Sequence, residues 1–178
     1  MRSTFKLPDD YKNENPNILN YIREHINDEN QHYLFFGKVG CGKTYLAKLL
    51  SDRDTEFVEC RSIYEDFLRV QVGNKSDKPE RLRKLNRALR GKDVILDDLG
   101  DERDTTSAHY FIGSIIEDRY NMIKKGLAKR TVITTNLTPR QLADTYGHRV
   151  IDRLQDVFVF MEFKNKSFRN RNVVSING

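Results

Sequence analysis

A glycine-rich segment, GKVGCGKT at residues 37–44, constrains the fold of this chain more than any other feature. It matches the pattern GxxxxGK[ST] and lies between an apolar run, residues 33–36, and a helix-like stretch, residues 45–50. A strand that turns into a helix N-terminus directs several backbone N–H groups and the positive end of the helix dipole at one point. The sequence therefore predicts a phosphate-binding loop in an α/β protein, with a nucleoside triphosphate as its ligand.

Each residue type in this segment suits that ligand. Gly37 and Gly42 stand where a Cβ would obstruct the turn or the anion. Lys43 can reach the β- and γ-phosphates, and the Thr44 hydroxyl can ligate Mg²⁺. The alternative is an ordinary glycine-rich turn beside a helix. We predict ATP contacts from Gly37, Lys38, Val39, Gly40, Cys41, Gly42, Lys43, Thr44 and Tyr45.

Length and composition limit the remaining classes of protein. The 178 residues suffice for one domain with a sizeable core, and 32% of them are charged. No run approaches 18 apolar residues and the N-terminus has no apolar signal region, so we expect a cytoplasmic protein with no membrane partner. The two cysteines, Cys41 and Cys60, provide neither a disulfide framework nor a zinc spacing. The net charge of +5 favours a polyanionic partner.

Strand and helix signals alternate from residue 33 to residue 160, which indicates a parallel sheet with helices on both faces. Ser62 and Glu65 form the pattern of a capping box, and Gly126 can end a long helix. The predicted strands cover residues 33–36, 56–60, 94–96, 131–134 and 157–160. The predicted helices cover residues 17–30, 45–50, 62–70, 80–90, 106–125 and 147–154, with a short one after Thr138.

Two carboxylates follow the third predicted strand. Asp97 and Asp98 stand just past its end, where ligands of open α/β sheets collect. A Walker B carboxylate at Asp97 would hold Mg²⁺, and Asp98 could orient the attacking water. The alternative is a plain Asp-Asp turn. Asn136 ends the next strand and could place its amide beside the γ-phosphate and the water.

Two arginines, Arg149 and Arg153, lie four residues apart on one face of a predicted helix. They could form ion pairs with Asp152 or Asp156. Alternatively, one of them is an arginine finger, a guanidinium that stabilises charge on the transferring phosphoryl group.

The order and spacing of GKVGCGKT, VILDDLGDE, VITTN and GHRVIDRL resemble the AAA+ ATPases. LDDLG followed by Glu102 and then by EDRY, residues 117–120, is similar to the branch of DnaC, DnaI and IstB. The resemblance covers roughly residues 31–169. It implies a five-stranded parallel AAA+ sheet between helices, ATP with Mg²⁺, Asn136 as sensor 1, and Arg153 rather than Arg149 as the finger that acts on a neighbouring subunit of a homo-oligomer.

The chain also departs from that family's pattern. Only about thirty residues precede the first strand, whereas the loaders carry a separate N-terminal domain that grips the helicase. The stretch after the last strand is too short for the usual helical lid, which agrees with the lidless loaders. Arg169 matches their sensor 2 arginine, or is a solvated tail residue. The expected organisation is an N-terminal arm and helix at residues 1–30, an AAA+ domain at 31–163 and a basic tail at 164–178.

Residues 75–92 form a basic segment with eight basic and two acidic side chains. On the predicted helix, Arg83, Arg87 and Arg90 share a face that could track phosphates. The alternative is a solvated face. In initiator and loader AAA+ proteins an extra helical element at this place touches single-stranded DNA. Tyr64 and Phe67 could stack on bases or belong to the core.

These expectations combine into one functional hypothesis and two rivals. We expect an ATPase that binds single-stranded DNA and assists loading of a DnaB-like replicative helicase, or acts with another replication protein. The first rival is an IstB-like transposition helper on duplex DNA. The second is an ATP-gated protein that does not hydrolyse ATP and captures a replication factor.

Overall fold

A computed structural model describes residues 15–72, 90–165 and 167–168 of the chain. The described helices are α1 (Pro16–His25), α2 (Lys43–Leu49), α3 (Cys60–Val72), α4 (Thr106–Lys124), α5 (Pro139–Tyr146) and α6 (His148–Val157). The strands are β1 (His32–Gly37), β2 (Glu56–Glu59), β3 (Val94–Leu99), β4 (Thr131–Thr135) and β5 (Phe158–Phe163). The predicted alternation of strands and helices is confirmed. Of the helix predicted over residues 80–90, only Arg90 lies within the described residues. Arg83, Arg87 and Arg169 lie outside them.

All five strands are parallel and form one sheet in the order β2-β3-β4-β1-β5. In the centre of the sheet, Phe36 of β1 pairs with Thr135 of β4. Because the strands are parallel, their carboxyl ends meet at one edge, where β1 leads into the glycine-rich loop and β3 carries its two carboxylates. The expected five-stranded α/β core is confirmed.

Side chains alternate between two hydrophobic cores, one on each face of the sheet. In β1, Tyr33 and Phe35 face the core that contains α1 and α2, whereas Leu34 faces the core that contains α3, α4, α5 and α6. The three inner strands β1, β3 and β4 are therefore buried on both faces, as expected for a parallel sheet. Leu19 and Ile22 pack α1 into the first core.

Some element boundaries differ from those predicted. Helix α3 begins at Cys60, directly after β2, so Ser62 lies inside the first turn and the predicted capping box is wrong. The short helix after Thr138 does have a capping box: the Thr138 hydroxyl accepts from the backbone of Gln141, whose side chain returns to Thr138. No α-helix follows β5 within the described part of the chain.

A buried arginine, Arg119 of α4, links the segment before β3 to the start of β4. Its guanidinium donates to the carbonyls of Gly91 and Lys92 and, at 2.6 Å, to the hydroxyl of Thr131. Burial lowers the pKa of Arg119 to about 10, so the side chain remains charged at neutral pH. This contact positions the chain that enters β3 from the basic segment.

None of the helices in the described ranges has the length and apolar character needed to cross a lipid bilayer.

Buried His32 generates a pH prediction. Its Nδ1 accepts a hydrogen bond from the backbone N–H of Thr131, which requires neutral imidazole. Burial, together with the nearby charge of Arg119, lowers the pKa of His32 to about 4. The unfolded chain binds this proton below about pH 6.5, so the free energy of unfolding should fall between pH 6.5 and 4, by about 3 kcal/mol in total.

The His32→Asn variant keeps an acceptor for Thr131 but cannot titrate, so it should lose most of this pH dependence. Urea unfolding at several pH values between 7 and 4 measures the effect. His148→Asn, the same change at an exposed position, is the control and should follow the wild type. Equal slopes for His32→Asn and wild type would show that His32 does not carry the dependence.

Candidate nucleotide-binding site

The glycine-rich loop connects β1 to α2 at the carboxyl edge of the sheet. Gly37, Gly40 and Gly42 have φ of +145°, +78° and +94°, a region that L side chains rarely adopt. A Cβ on Gly37 would also collide with the carbonyl oxygen of Phe163 in β5. Glycine is therefore required at Gly37 by the neighbouring strand as well as by the turn. The side chains of Val39 and Tyr45 are exposed, and Cys41 is buried.

Lys43 is buried, and its ammonium group lies inside the loop. It donates to the carbonyl oxygens of Gly37 and Lys38, each at 2.9 Å, and to Oδ1 of Asn136 at 2.8 Å. The bond to Asn136 joins the loop to the end of β4, 93 residues further along the chain. Lys43 and Asn136, which the sequence assigned to one site, are thus in direct contact.

Asp97 joins the loop to two strands. Its Oδ1 accepts from the Thr44 hydroxyl at 2.9 Å and from the Thr134 hydroxyl at 2.6 Å, and the side chain is buried in β3. A carboxylate and a hydroxyl in contact are hard oxygen donors, the type that Mg²⁺ prefers. Thr44 and Asp97 therefore fit a magnesium site. Thr134 was not assigned to the site from the sequence, and the signal that could have found it is a polar residue near the carboxyl end of a buried strand, close to Asn136 in sequence.

Asp98 has an unusual backbone conformation. Strand β3 continues to Leu99, so the expectation that both carboxylates lie past its end is wrong: Asp97 and Asp98 are within it. The pairing with β4 is irregular between Leu96 and Leu99, and Asp98 has φ of +53°. Its N–H donates to the Thr134 hydroxyl. The irregularity changes the direction of the chain at the point where the second carboxylate stands.

The turn after β3 is held by Glu102, a buried carboxylate. One oxygen accepts from the N–H of Gly100 at 3.0 Å, and the other accepts from the hydroxyl of Tyr146, the last residue of α5. Burial and the neighbouring Glu102 carboxylate raise the pKa of Tyr146, so its hydroxyl stays protonated and donates. In the sequence, Glu102 stands out only through the family resemblance, and no local pattern indicates Tyr146.

The segment after β5 folds back on the glycine-rich loop. Asn165 donates to the carbonyl of Cys41 at 3.1 Å, and the N–H of Phe168 donates to the carbonyl of Gly40 at 2.9 Å. Asn165 is buried. The first part of the predicted basic tail therefore contacts the site.

Arg149 and Arg153 both contact Glu117 of α4. Arg153 lies 2.6 Å from a Glu117 oxygen and above the Tyr120 ring, whereas the more exposed Arg149 lies 3.5 Å from the same oxygen. The sequence suggested ion pairs of these arginines with Asp152 or Asp156, but both arginines pair with Glu117 instead. Asp156 instead accepts from the Tyr120 hydroxyl and from Lys124.

Of the three arginines predicted to bind DNA, the structure describes Arg90, which is exposed. The two aromatic residues considered for stacking on bases contact other rings of the protein, and Phe67 is half-buried. Tyr64 is buried, and the ring of Phe67 stacks on that of Phe111 with centroids 4.2 Å apart. The core interpretation of Tyr64 and Phe67 agrees with this packing.

Several solved structures have this fold. A DnaC helicase loader has a TM-score of 0.66 and 24% identity over 88% of this chain and 100% of its own. DnaI has a TM-score of 0.61 and 20% identity over 88% of this chain and 87% of its own. The replication initiator DnaA bound to AMPPCP and single-stranded DNA has a TM-score of 0.65 and 15% identity over 90% of this chain and 51% of its own.

The expected α/β fold is confirmed, since the DnaC, DnaI and DnaA structures share the fold of this chain. It spans the whole of that DnaC chain and about half of the DnaA chain. No protein-family model matches the chain, and no curated protein matches it closely in sequence.

The Asn165 contact generates a prediction about nucleotide affinity. Asn165→Ala removes the hydrogen bond to Cys41, and a lost buried hydrogen bond of roughly 1 kcal/mol should weaken AMPPCP binding about three- to tenfold. Isothermal titration calorimetry measures the Kd. The exposed Asn121 of α4 provides the control, because Asn121→Ala is the same change away from the loop and should leave the Kd unaltered. Unchanged affinity in Asn165→Ala would show that the contact does not stabilise the binding conformation of the loop.

Proposed function

We propose that this protein binds and hydrolyses ATP, binds single-stranded DNA and assists the loading of a DnaB-like replicative helicase. One observation carries the ATPase proposal: hydrogen bonds bring Lys43, Thr44, Asp97 and Asn136 together at the carboxyl edge of the sheet. These residues come from the start of α2, from β3 and from the position just after β4, which are far apart in sequence. Their types match the binding and positioning needs of phosphoryl transfer.

Each residue has a separate part in the proposed reaction. The N–H groups of the loop and the ammonium of Lys43 bind the phosphates. Thr44 and Asp97 would hold Mg²⁺, which neutralises charge on the phosphate oxygens when bound. Asp98, next to Asp97, accepts a hydrogen bond from the attacking water and orients it. Asn136, already bonded to Lys43, places its amide beside the γ-phosphate.

The catalytic unit in this proposal is a homo-oligomer in which Arg153 reaches the ATP of a neighbouring subunit. Arg153 is mostly covered by Glu117 and Tyr120, so it must leave this ion pair to act. Arg149 is largely exposed and bonded more loosely, and it remains the second candidate for the finger. Glu117 thus holds both arginines in a resting position.

The replication part of the proposal has two supports. The structures that share the fold include a helicase loader and an initiator with single-stranded DNA. The basic segment, with Arg83, Arg87 and exposed Arg90, provides the charge that a nucleic-acid backbone requires. The proposed nucleotide contact of Arg169 is supported by its neighbour Phe168, whose N–H bonds to the loop at Gly40.

The organisation proposed for the chain keeps an AAA+ domain at residues 31–163, an N-terminal arm and helix at 1–30, and a basic tail at 164–178.

A mixing experiment tests the ATPase and its oligomer. Lys43→Ala removes phosphate binding and Arg153→Ala removes the finger, so each protein alone should be inactive. In an equal mixture, random head-to-tail assembly places an intact loop against an intact finger at roughly a quarter of the interfaces. Steady-state ATP hydrolysis should therefore recover in part.

The exposed Arg61 of α3 supplies the control, since Arg61→Ala should retain activity alone and in mixtures. Assembly of the wild type is established first by analytical ultracentrifugation with ATP. An assembled mixture without any recovery would contradict action of Arg153 on a neighbour. Absence of hydrolysis by wild type under every DNA and assembly condition would instead favour the non-hydrolysing protein that captures a replication factor.

A salt titration tests DNA binding. Each phosphate contact with single-stranded DNA adds about 0.7 to the magnitude of the log–log salt slope. Replacing Arg83, Arg87 and Arg90 by alanine should therefore flatten the slope by up to about 2 and leave ATP binding intact. Fluorescence anisotropy with labelled single-stranded and duplex DNA at several salt concentrations provides the measurement.

A triple alanine variant of exposed arginines elsewhere, Arg23, Arg61 and Arg69, makes the same change in charge and should keep the wild-type slope. An equal loss of affinity in both triple variants, with no change of slope, would mean that the basic segment is only a solvated face. Preference of the wild type for duplex DNA would favour the transposition helper.

A further inference from the structure

The buried carboxylate of Glu102 joins two parts of the site that are separate in sequence. It accepts one hydrogen bond from the N–H of Gly100 and one from the Tyr146 hydroxyl. Burying a carboxylate is costly unless its oxygens are bonded, and an apolar side chain would fill such a place without that cost. The two bonds therefore suggest a task beyond packing.

The first of these bonds acts on the turn that carries Asp98. Gly100 has φ of +95°, and the side chain of Leu137 occupies the space where its Cβ would stand. The N–H of Asp101 donates to the carbonyl of Asp98. Holding Gly100 in this conformation therefore holds the strained residue Asp98, two positions earlier, in place.

The second bond acts on helix α6. Tyr146 ends α5, and Gly147, with φ of +90°, is the only residue between α5 and α6. Arg149 and Arg153 follow within the next two turns of α6. A displacement of the Tyr146 ring therefore also displaces the start of α6, the helix that carries both arginines. The ring also contacts His109 of α4 edge-on, with centroids 5.7 Å apart.

We propose that Glu102 and Tyr146 are positioning residues that couple the turn of Asp98 to helix α6. A subunit's own hydrolysis site and the arginines that it offers to a neighbour then move together. This inference rests on the proposed ATPase function. The coupling gives the hydrolysis site of one subunit a means of sensing the adjacent subunit.

Turnover provides the first test. Tyr146→Phe removes one hydroxyl and keeps the ring, so the Kd for ATP should change less than twofold while kcat falls about tenfold, the effect of one lost positioning hydrogen bond. Glu102→Gln keeps an acceptor for Gly100 and offers an N–H to Tyr146, so it should retain most of the activity. Tyr110→Phe is the matched control, because the exposed Tyr110 lies on the neighbouring surface of α4. An unchanged kcat in Tyr146→Phe would overturn the proposal.

Hydrogen exchange with AMPPCP separates coupling from simple loss of stability. In wild type the ligand should slow exchange both in residues 98–102 and in α6. In Tyr146→Phe the first response should remain and the second should be lost. A variant in which both segments still respond would overturn the coupling while leaving the ATPase proposal intact. A wild type that binds no AMPPCP would instead overturn the proposed function, and this inference with it.

Discussion

The parallel pairing of β1, β3 and β4 is the constraint on which the rest of this molecule depends. It brings the loop after β1, the carboxylates of β3 and the amide after β4 to one edge. Asp97 then accepts from Thr44 and Thr134, and Lys43 donates to Asn136. Without this register the polar residues would lie on unrelated strand ends. The sheet therefore determines the site before any ligand does.

Helix α4 connects that site to the remainder of the domain. Within the motif EDRY, Glu117 pairs with the arginines of α6. Arg119 bonds to the segment before β3 and to the start of β4. Tyr120 bonds to Asp156 and faces Arg153. Three of the four residues thus have a specific contact. In the sequence this motif stands out only through a family resemblance. The structure explains why these residue types occur there: α4 lies between α6 and the N-terminal ends of β3 and β4.

Local patterns were enough to predict most elements, because alternating burial in strands and spacing in helices are properties of short segments. The errors occur where tertiary contacts override a local signal. Ser62 and Glu65 have the capping pattern, yet the helix begins at Cys60 because β2 runs directly into it. Strand β3 continues beyond its expected end to Leu99, where two threonines of β4 contact it. The Thr134 hydroxyl accepts from the N–H of Asp98, and the Thr135 hydroxyl donates to the carbonyl of Leu99.

The sequence by itself determined the glycine-rich loop between strand and helix, the α/β class and the candidate residues Lys43, Thr44, Asp97 and Asn136, since a contiguous motif and strand-end positions specify them. Only the tertiary structure decided which partners these residues have. Glu117 replaces the expected partners of Arg153, and Tyr146 reaches Glu102 across 44 residues. Such pairs leave no local pattern, because their members come together only when distant helices pack on the same sheet.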